Sequence, residues 1–232
     1  MEFLWLFLLG FLVEQTYACS QMRDSNNHPQ SLFCQANYAA KVRVKSEAMV
    51  GENEWAMKRK YTVTVLNVFK DASGQLKRNK KAFFTSSASS GMCGASLAVG
   101  KVYFVSGPYY SGEYSFNSFN WISQWAYMSN PQRNYLKNGK YEANCKCQIA
   151  KCTDGKCNED DMRADCQWAP GELSDCWAKN GACVKSNLPG KCEWSRNADV
   201  CGKMNIVPAF MTMPVPRTST PQPPKTHPVT MP

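Results

Sequence analysis

Cysteine is the residue type in this chain with the most chemistry available to it. There are twelve: Cys19, Cys34, Cys93, Cys145, Cys147, Cys152, Cys157, Cys166, Cys176, Cys183, Cys192 and Cys201. Thiols this dense either ligate a metal or pair as disulfides. Between Cys145 and Cys157 the spacing is C-x-C-x4-C-x4-C, which lacks the paired CxxC knuckles of a zinc site. The even count favours a complete disulfide framework. Histidine is scarce by contrast, with only His28 and His227. There is no HExxH, no G-x-S-x-G and no P-loop, and Asp160-Asp161 is expected to lie in a solvated loop among cysteines. These residues offer no catalytic site, and no cofactor is expected.

Cys19 stands apart because of what precedes it. Residues 3–13, FLWLFLLGFLV, form an apolar run too short to span a bilayer. Ala18 at −1 and Thr16 at −3 suit signal-peptidase cleavage before Cys19. The segment before the run has no Lys or Arg, so its positive charge would be the α-amino group. A buried helix or an uncleaved anchor is the alternative. Residues 1–18 are therefore expected to be a signal peptide and the protein to be secreted, into a compartment that oxidises thiols. No later stretch is long enough for a membrane span.

Removing residues 1–18 takes away Glu2 and Glu14 and no basic residue, which raises the net charge from +9 to +11. Lys58-Arg59-Lys60 and Lys77-Arg78-Asn79-Lys80-Lys81 are the local basic runs. They could hold sulfated glycans or acidic extracellular matrix, or be solvated strand ends and a solvated loop. Neither nucleic acid nor a membrane is expected as a partner.

The elements that must position these groups divide by cysteine density. Residues 19–146 contain four cysteines and most of the strand signal; residues 147–203 hold the other eight. The first unit can bury a core, whereas the second depends on cross-links. Tyr38–Lys45, Lys60–Phe69, Lys81–Thr85, Lys101–Ser106 and Tyr114–Phe119 read as five strands of a small antiparallel barrel. One helix is expected, capped by Asn130, with Pro131 at its first position and Gly139 at its end. Tyr135 and Leu136 would face the barrel. Residues 204–232, rich in Pro and Thr, read as a disordered or extended tail that could carry O-linked sugar. No Asn-x-Ser/Thr sequon occurs.

Several segments together resemble the tissue inhibitors of metalloproteinases. Cys19-Ser20 followed by His28-Pro29-Gln30-Ser31-Leu32-Phe33-Cys34 looks like that family's N-terminal signature. The likeness continues through AAKVRVKS, KYTVTVLNVFK, FFTSSASSGMCGASLAVGKVYFVSG (residues 83–107), YSFNSFNWISQW and CKCQIAKC (residues 145–152). It persists more weakly at Cys166-Gln167-Trp168 and Cys192-Glu193-Trp194. The resemblance implies a mainly β fold with short helices: a five-stranded OB-fold barrel of the netrin-like (NTR) class, then a small disulfide-rich C-terminal subdomain. It also implies the pairs Cys19–Cys93, Cys34–Cys145, Cys147–Cys192, Cys152–Cys157 and Cys166–Cys183. Cys176 and Cys201 have no counterpart and are paired as the two left over.

The same resemblance implies a mechanism. Freed by cleavage, Cys19 would offer its α-amino nitrogen and carbonyl oxygen to the zinc of a target metalloprotease. Ser20, Gln21 and the loop Ala88, Ser89, Ser90, Gly91 and Met92 would contact the protease cleft. One departure stands out. The family has a cysteine where this chain has Gln21, and that cysteine's partner aligns with Phe119, so a whole bridge is missing and the N-terminal strand is expected to be less rigid. The competing reading is an NTR module without inhibitory activity that serves as a structural or binding protein of the extracellular matrix.

Overall fold

The computed structural model describes residues 19, 28–53, 56–152, 156–168, 174–201 and 207–208. The expected signal peptide, Ser20 and Gln21, and most of the Pro/Thr-rich tail lie outside them.

Alternation builds the main sheet. In β1 (Tyr38–Val50), Tyr38, Ala40, Val42 and Val44 point inward and are almost wholly buried, while Arg43 and Lys45 are exposed. In β2 (Lys58–Asp71), Tyr61, Val63 and Val65 do the same. The two pair antiparallel from Tyr38↔Asp71 to Val50↔Lys58, with three register irregularities that let the long hairpin coil. β3 (Lys81–Ser87) adds to β2, and β4 (Val102–Gly107) adds to the other side of β1. The chain then turns through β5 (Tyr109–Tyr110) into β6 (Glu113–Ser115), which pairs parallel with β3. β7 (Ile122–Gln124) extends the β4 edge, giving the order β5-β6-β3-β2-β1-β4-β7.

This return of β6 to β3 curls the sheet into a barrel. Gly107 sits where the ends meet: a Cβ there would lie 2.2 Å from the Ser115 carbonyl oxygen, which accepts the Tyr38 hydroxyl at 3.0 Å. The barrel core is Tyr38, Val42, Val44, Tyr61, Val63, Val65, Phe84, Leu97, Tyr103, Val105, Tyr114 and Phe116. The run read as one strand from Tyr114 to Phe119 is shorter than expected. β6 ends at Ser115 because Asn117 and Asn120 make a turn, Asn120 Oδ1 taking the Asn117 N–H at 2.8 Å.

A second core lies on the outer face of β1 and β4. Ala39 and Phe104 meet Phe33, Trp121, Met128, Tyr135, Leu136 and Tyr141 there. Two helices supply most of these. α1 (Pro29–Gln35) has His28 as its N-cap, Pro29 at its start, and Lys70 Nζ donating to the Phe33 and Cys34 carbonyls at its end. α2 (Asn130–Lys137) starts one residue earlier than expected. Its cap is Ser129, not Asn130: Ser129 Oγ accepts the Gln132 N–H at 3.2 Å and Gln132 Oε1 accepts the Ser129 N–H at 3.0 Å. Gly139, at φ 64°, turns the chain into α3 (Lys140–Ala143).

The C-terminal unit is small and cross-linked. β8 (Ile149–Lys151) pairs with β10 (Cys166–Trp168), and β11 (Cys183–Lys185) with β12 (Cys192–Trp194). Between β8 and β10 lie β9 (Lys156–Cys157) and the short helix α4 (Glu159–Arg163). α5 (Ser174–Asn180) packs Trp177 against Trp194 at 5.2 Å between ring centroids. Within the expected tail, Val207–Pro208 form a short strand parallel to β9.

Six disulfides tie the fold together: Cys19–Cys93, Cys34–Cys145, Cys147–Cys192, Cys152–Cys157, Cys166–Cys183 and Cys176–Cys201. No cysteine among them is free.

Candidate functional site

The site is built around Cys93. β3 ends at Ser87, and the chain makes a tight turn from Ala88 to Cys93. Within it, Met92 N–H and Gly94 N–H both donate to the Ser89 carbonyl, at 3.3 and 3.0 Å, and Cys93 N–H donates to the Ser90 carbonyl at 3.0 Å. The base of the turn is fixed. Ala88 N–H donates to the Met57 carbonyl at 3.0 Å, and Ala95 N–H donates to Ser86 Oγ at 2.9 Å. Gly94 is required there, since a Cβ would fall 2.1 Å from the Ser87 carbonyl oxygen. Cys93 itself has φ 60°, a left-handed conformation few non-glycine residues adopt.

That geometry turns the Cys93 side chain toward Cys19. The two Cα atoms are 5.0 Å apart across their disulfide. Ser118 braces the pair: its N–H donates to the Cys93 carbonyl at 2.9 Å, and its Oγ lies 3.6 Å from Cys19 Sγ. Above this base, Ser89, Ser90, Gly91 and Met92 are exposed, Met92 over 51% of its surface, while Ala88 is half-buried. The structure thus brings Cys19 to the foot of an exposed turn. Ser20 and Gln21 fall outside the described residues. Phe119 is half-buried next to Ser118, its N–H held by Asn117 Oδ1 at 3.0 Å.

Beyond Cys19, the N-terminal segment is anchored again at His28, by residues whose role sequence reasoning missed. His28 is fully buried, with Trp168 and Trp194 at 5.6 and 5.2 Å between ring centroids. Burial pushes its pKa down to about 3, against a weaker upward pull from a hydrogen bond with the Trp177 backbone. It is therefore neutral at physiological pH. Gln30 reaches into the same unit and bonds the backbone of Cys183 and Asn144. The only sequence signal for these contacts is the H-P-Q triplet itself, which says nothing about its distant partners.

The barrel and the C-terminal unit meet at a second joint. α2 side chains satisfy the last carbonyls of α5: Gln132 Nε2 donates to Ala178 at 3.0 Å, Tyr135 hydroxyl to Asn180 at 2.8 Å, and Ser129 Oγ to Lys179.

The sequence model described as "Tissue inhibitor of metalloproteinase" matches residues 17–194, from just before Cys19 to the end of β12. The chain belongs to this family. Among curated members, metalloproteinase inhibitor 2 of Cavia porcellus and of Homo sapiens are each 30% identical to it over 207 residues, covering 84% of this chain and 89% of theirs. The tissue inhibitor of metalloproteinase of Drosophila melanogaster is 25% identical over 186 residues, covering 77% of this chain and 82% of its own. Within the family frame, both edges of the site fall inside the matched region: Cys19 with its turn, and the His28–Gln30 anchor.

Proposed function

We propose that this protein is a secreted inhibitor of zinc metalloendopeptidases of the matrix metalloprotease type, acting through a mature N-terminus at Cys19. The observation that carries the reading is the Cys19–Cys93 bridge, which fixes Cys19 against the exposed turn Ala88–Met92. Family membership supports the inhibitory activity.

A catalytic zinc keeps one coordination position for water or substrate. The Cys19 α-amino nitrogen and carbonyl oxygen, one chelate ring apart, displace that water together. The amine binds as the free base; with an ordinary α-amino pKa of roughly 7.7–8.0, its deprotonation near neutral pH costs little. The Cys19 sulfur is engaged by Cys93 and does not bind the metal. Ser20 enters the specificity pocket beside the zinc, where its small hydroxyl suits many proteases. Gln21 and the turn Ala88–Met92 fill the cleft on either side.

Two measurements test this together. Mass spectrometry of the secreted protein should find a terminus at Cys19, and a panel of matrix metalloproteases should be inhibited at one-to-one stoichiometry. Retained upstream residues with no inhibition would instead fit a matrix module without inhibitory activity.

A further inference from the structure

The inner face of the barrel continues past its apolar filling. Tyr61, Val63 and Val65 point inward from β2, and Arg59, two residues before Tyr61, lies on the same face. Its neighbours across the sheet are Met49 in β1 and Ser86 in β3. Glu47, two residues before Met49, shares that face. Arg59 Nη1 donates to Glu47 Oε1 at 2.7 Å, and Arg59 Nη2 donates to the Ala88 carbonyl at 3.5 Å. One planar fork thus joins the long β1–β2 hairpin to the first residue of the exposed turn.

The turn needs such a hold. The β2–β3 ladder ends at Lys58↔Ser87, one residue short of Ala88. The bonds from Met92, Cys93 and Gly94 N–H to Ser89 and Ser90 close the turn on itself and do not aim it relative to the sheet. At its far end, Cys93 is held by Ser118 and by the bridge to Cys19. At its near end, the Met57 carbonyl takes the Ala88 N–H at 3.0 Å and Arg59 takes the Ala88 carbonyl. Among the described residues, Arg59 supplies the one side-chain hydrogen bond from β2 to this turn.

The neighbouring ion pair does something else. Lys58 and Glu113, with side chains 50% and 40% exposed, join β2 to β6 at 3.0 Å and touch no part of the turn. The Arg59 and Glu47 side chains are only 33% and 27% exposed, so water and salt compete less for them.

We propose that Arg59 is a positioning residue for inhibition: oriented by Glu47, it aims the turn Ala88–Met92 through the Ala88 carbonyl. The inference rests on the inhibitory reading above and adds to it the group that sets the turn before a protease arrives. A turn already aimed loses less freedom on binding, and a turn that samples other orientations binds only in the fraction of molecules that has the right one. Lysine at this position keeps the charge but not the fork, so it cannot hold Glu47 and Ala88 in the same planar arrangement.

The test compares the wild type with R59Q, R59K, E47Q and, as a control, E113Q. Melting temperatures should stay close to the wild type, because partly exposed ion pairs contribute little to stability. In R59Q, the Ala88, Met92, Cys93 and Gly94 amides should exchange hydrogen faster. Its inhibition constant against a matrix metalloprotease should rise roughly tenfold, mainly through slower association. R59K should fall nearer to R59Q than to the wild type, E47Q should show part of the loss, and E113Q should match the wild type in both measurements. Wild-type exchange at the turn in R59Q would overturn the proposal, and a raised inhibition constant beside it would mean that Arg59 touches the protease directly. Faster exchange with an unchanged inhibition constant would overturn the link between turn and inhibition. An equal loss in E113Q would reduce the effect to general charge. A wild-type protein that inhibits no protease would instead overturn the function proposed above, while the exchange measurement would still decide whether Arg59 holds the turn.

Discussion

Gln30 and Cys183, 153 residues apart, hold each other through a closed pair of hydrogen bonds. Gln30 Oε1 accepts the Cys183 N–H at 2.8 Å, and Gln30 Nε2 donates to the Cys183 carbonyl at 2.8 Å. A third bond runs from Nε2 to the Asn144 carbonyl at 3.1 Å. All of these groups are buried, so Gln30→Ala leaves several backbone groups unpaired at about 1–3 kcal/mol each. The variant should melt well below the wild type, and Gln30→Glu should not rescue it, because a carboxylate cannot donate to the two carbonyls. A melting temperature within a degree of the wild type would show that the clamp contributes nothing.

The same clamp bears on whether residues 19–146 fold alone. That fragment keeps the Cys19–Cys93 and Cys34–Cys145 bridges and the whole barrel core. It loses the tryptophans around His28, the Cys183 backbone that Gln30 holds and the Asn180 carbonyl that Tyr135 bonds, but keeps the Gln30–Asn144 bond. With Cys147 left out by ending at residue 146, the fragment should fold and inhibit, with a lower melting temperature than the full chain. A folded fragment that no longer inhibits would move part of the inhibitory surface into the C-terminal unit.

Acid should loosen the protein through His28. Its pKa is depressed to about 3 in the folded state from an ordinary 6.5. Between those values the unfolded chain binds the proton and the folded chain does not, so stability is full above about pH 6.5 and falls as pH drops toward 3. The slope approaches about 1.4 kcal/mol per pH unit from this group. Carboxylates add their own pH dependence, so the comparison is with His28→Phe, which keeps an aromatic ring between Trp168 and Trp194. Urea unfolding at pH 7, 6, 5 and 4 should show a shallower decline in the variant. Parallel declines would mean that His28 does not carry the effect.

Restoring the absent bridge should tighten inhibition. The double variant Q21C/F119C places cysteines at the two positions where the family resemblance implies them. A bridge closing a long loop stabilises by about 3–5 kcal/mol in the chain-entropy model. A more rigid N-terminal segment then loses less freedom on binding. The inhibition constant should fall several-fold once mass spectrometry confirms the seventh disulfide. An unchanged constant would show that the Cys19–Cys93 bridge and the His28 anchor already hold the segment.

The sequence made the barrel legible because alternation is a local signal. Val42, Val44, Val63 and Val65 declare their faces within a few residues of chain. The return of β6 to β3 and the short β7 were not legible, since both depend on pairings set by distant strands. α1 escaped notice because H-P-Q-S-L-F-C is too short to show helical periodicity, and its cap is a histidine rather than Ser, Asp or Asn. The cap of α2 was misplaced by one residue, as Ser129 and Asn130 are both good caps and only the reciprocal bond with Gln132 decides between them. At the site, Cys19 and the turn were visible through the family resemblance. The Gln30 clamp was not, because it joins residues far apart in the chain.

The most direct test of the inhibitory reading is the inhibition constant of three folded forms of the mature protein. One begins at Cys19, one has its α-amine acetylated, and one carries a single alanine before Cys19. Acetylation and extension both turn the amine into an amide nitrogen, a poor zinc ligand, while the Cys19–Cys93 bridge and the barrel core stay intact. Circular dichroism should show three equal folds. Inhibition of a matrix metalloprotease should weaken by roughly a hundredfold or more in both altered forms, a loss of about 2.8 kcal/mol of binding. Undiminished inhibition by the alanine-extended protein would contradict zinc chelation through Cys19 and place the inhibitory contact elsewhere on the molecule.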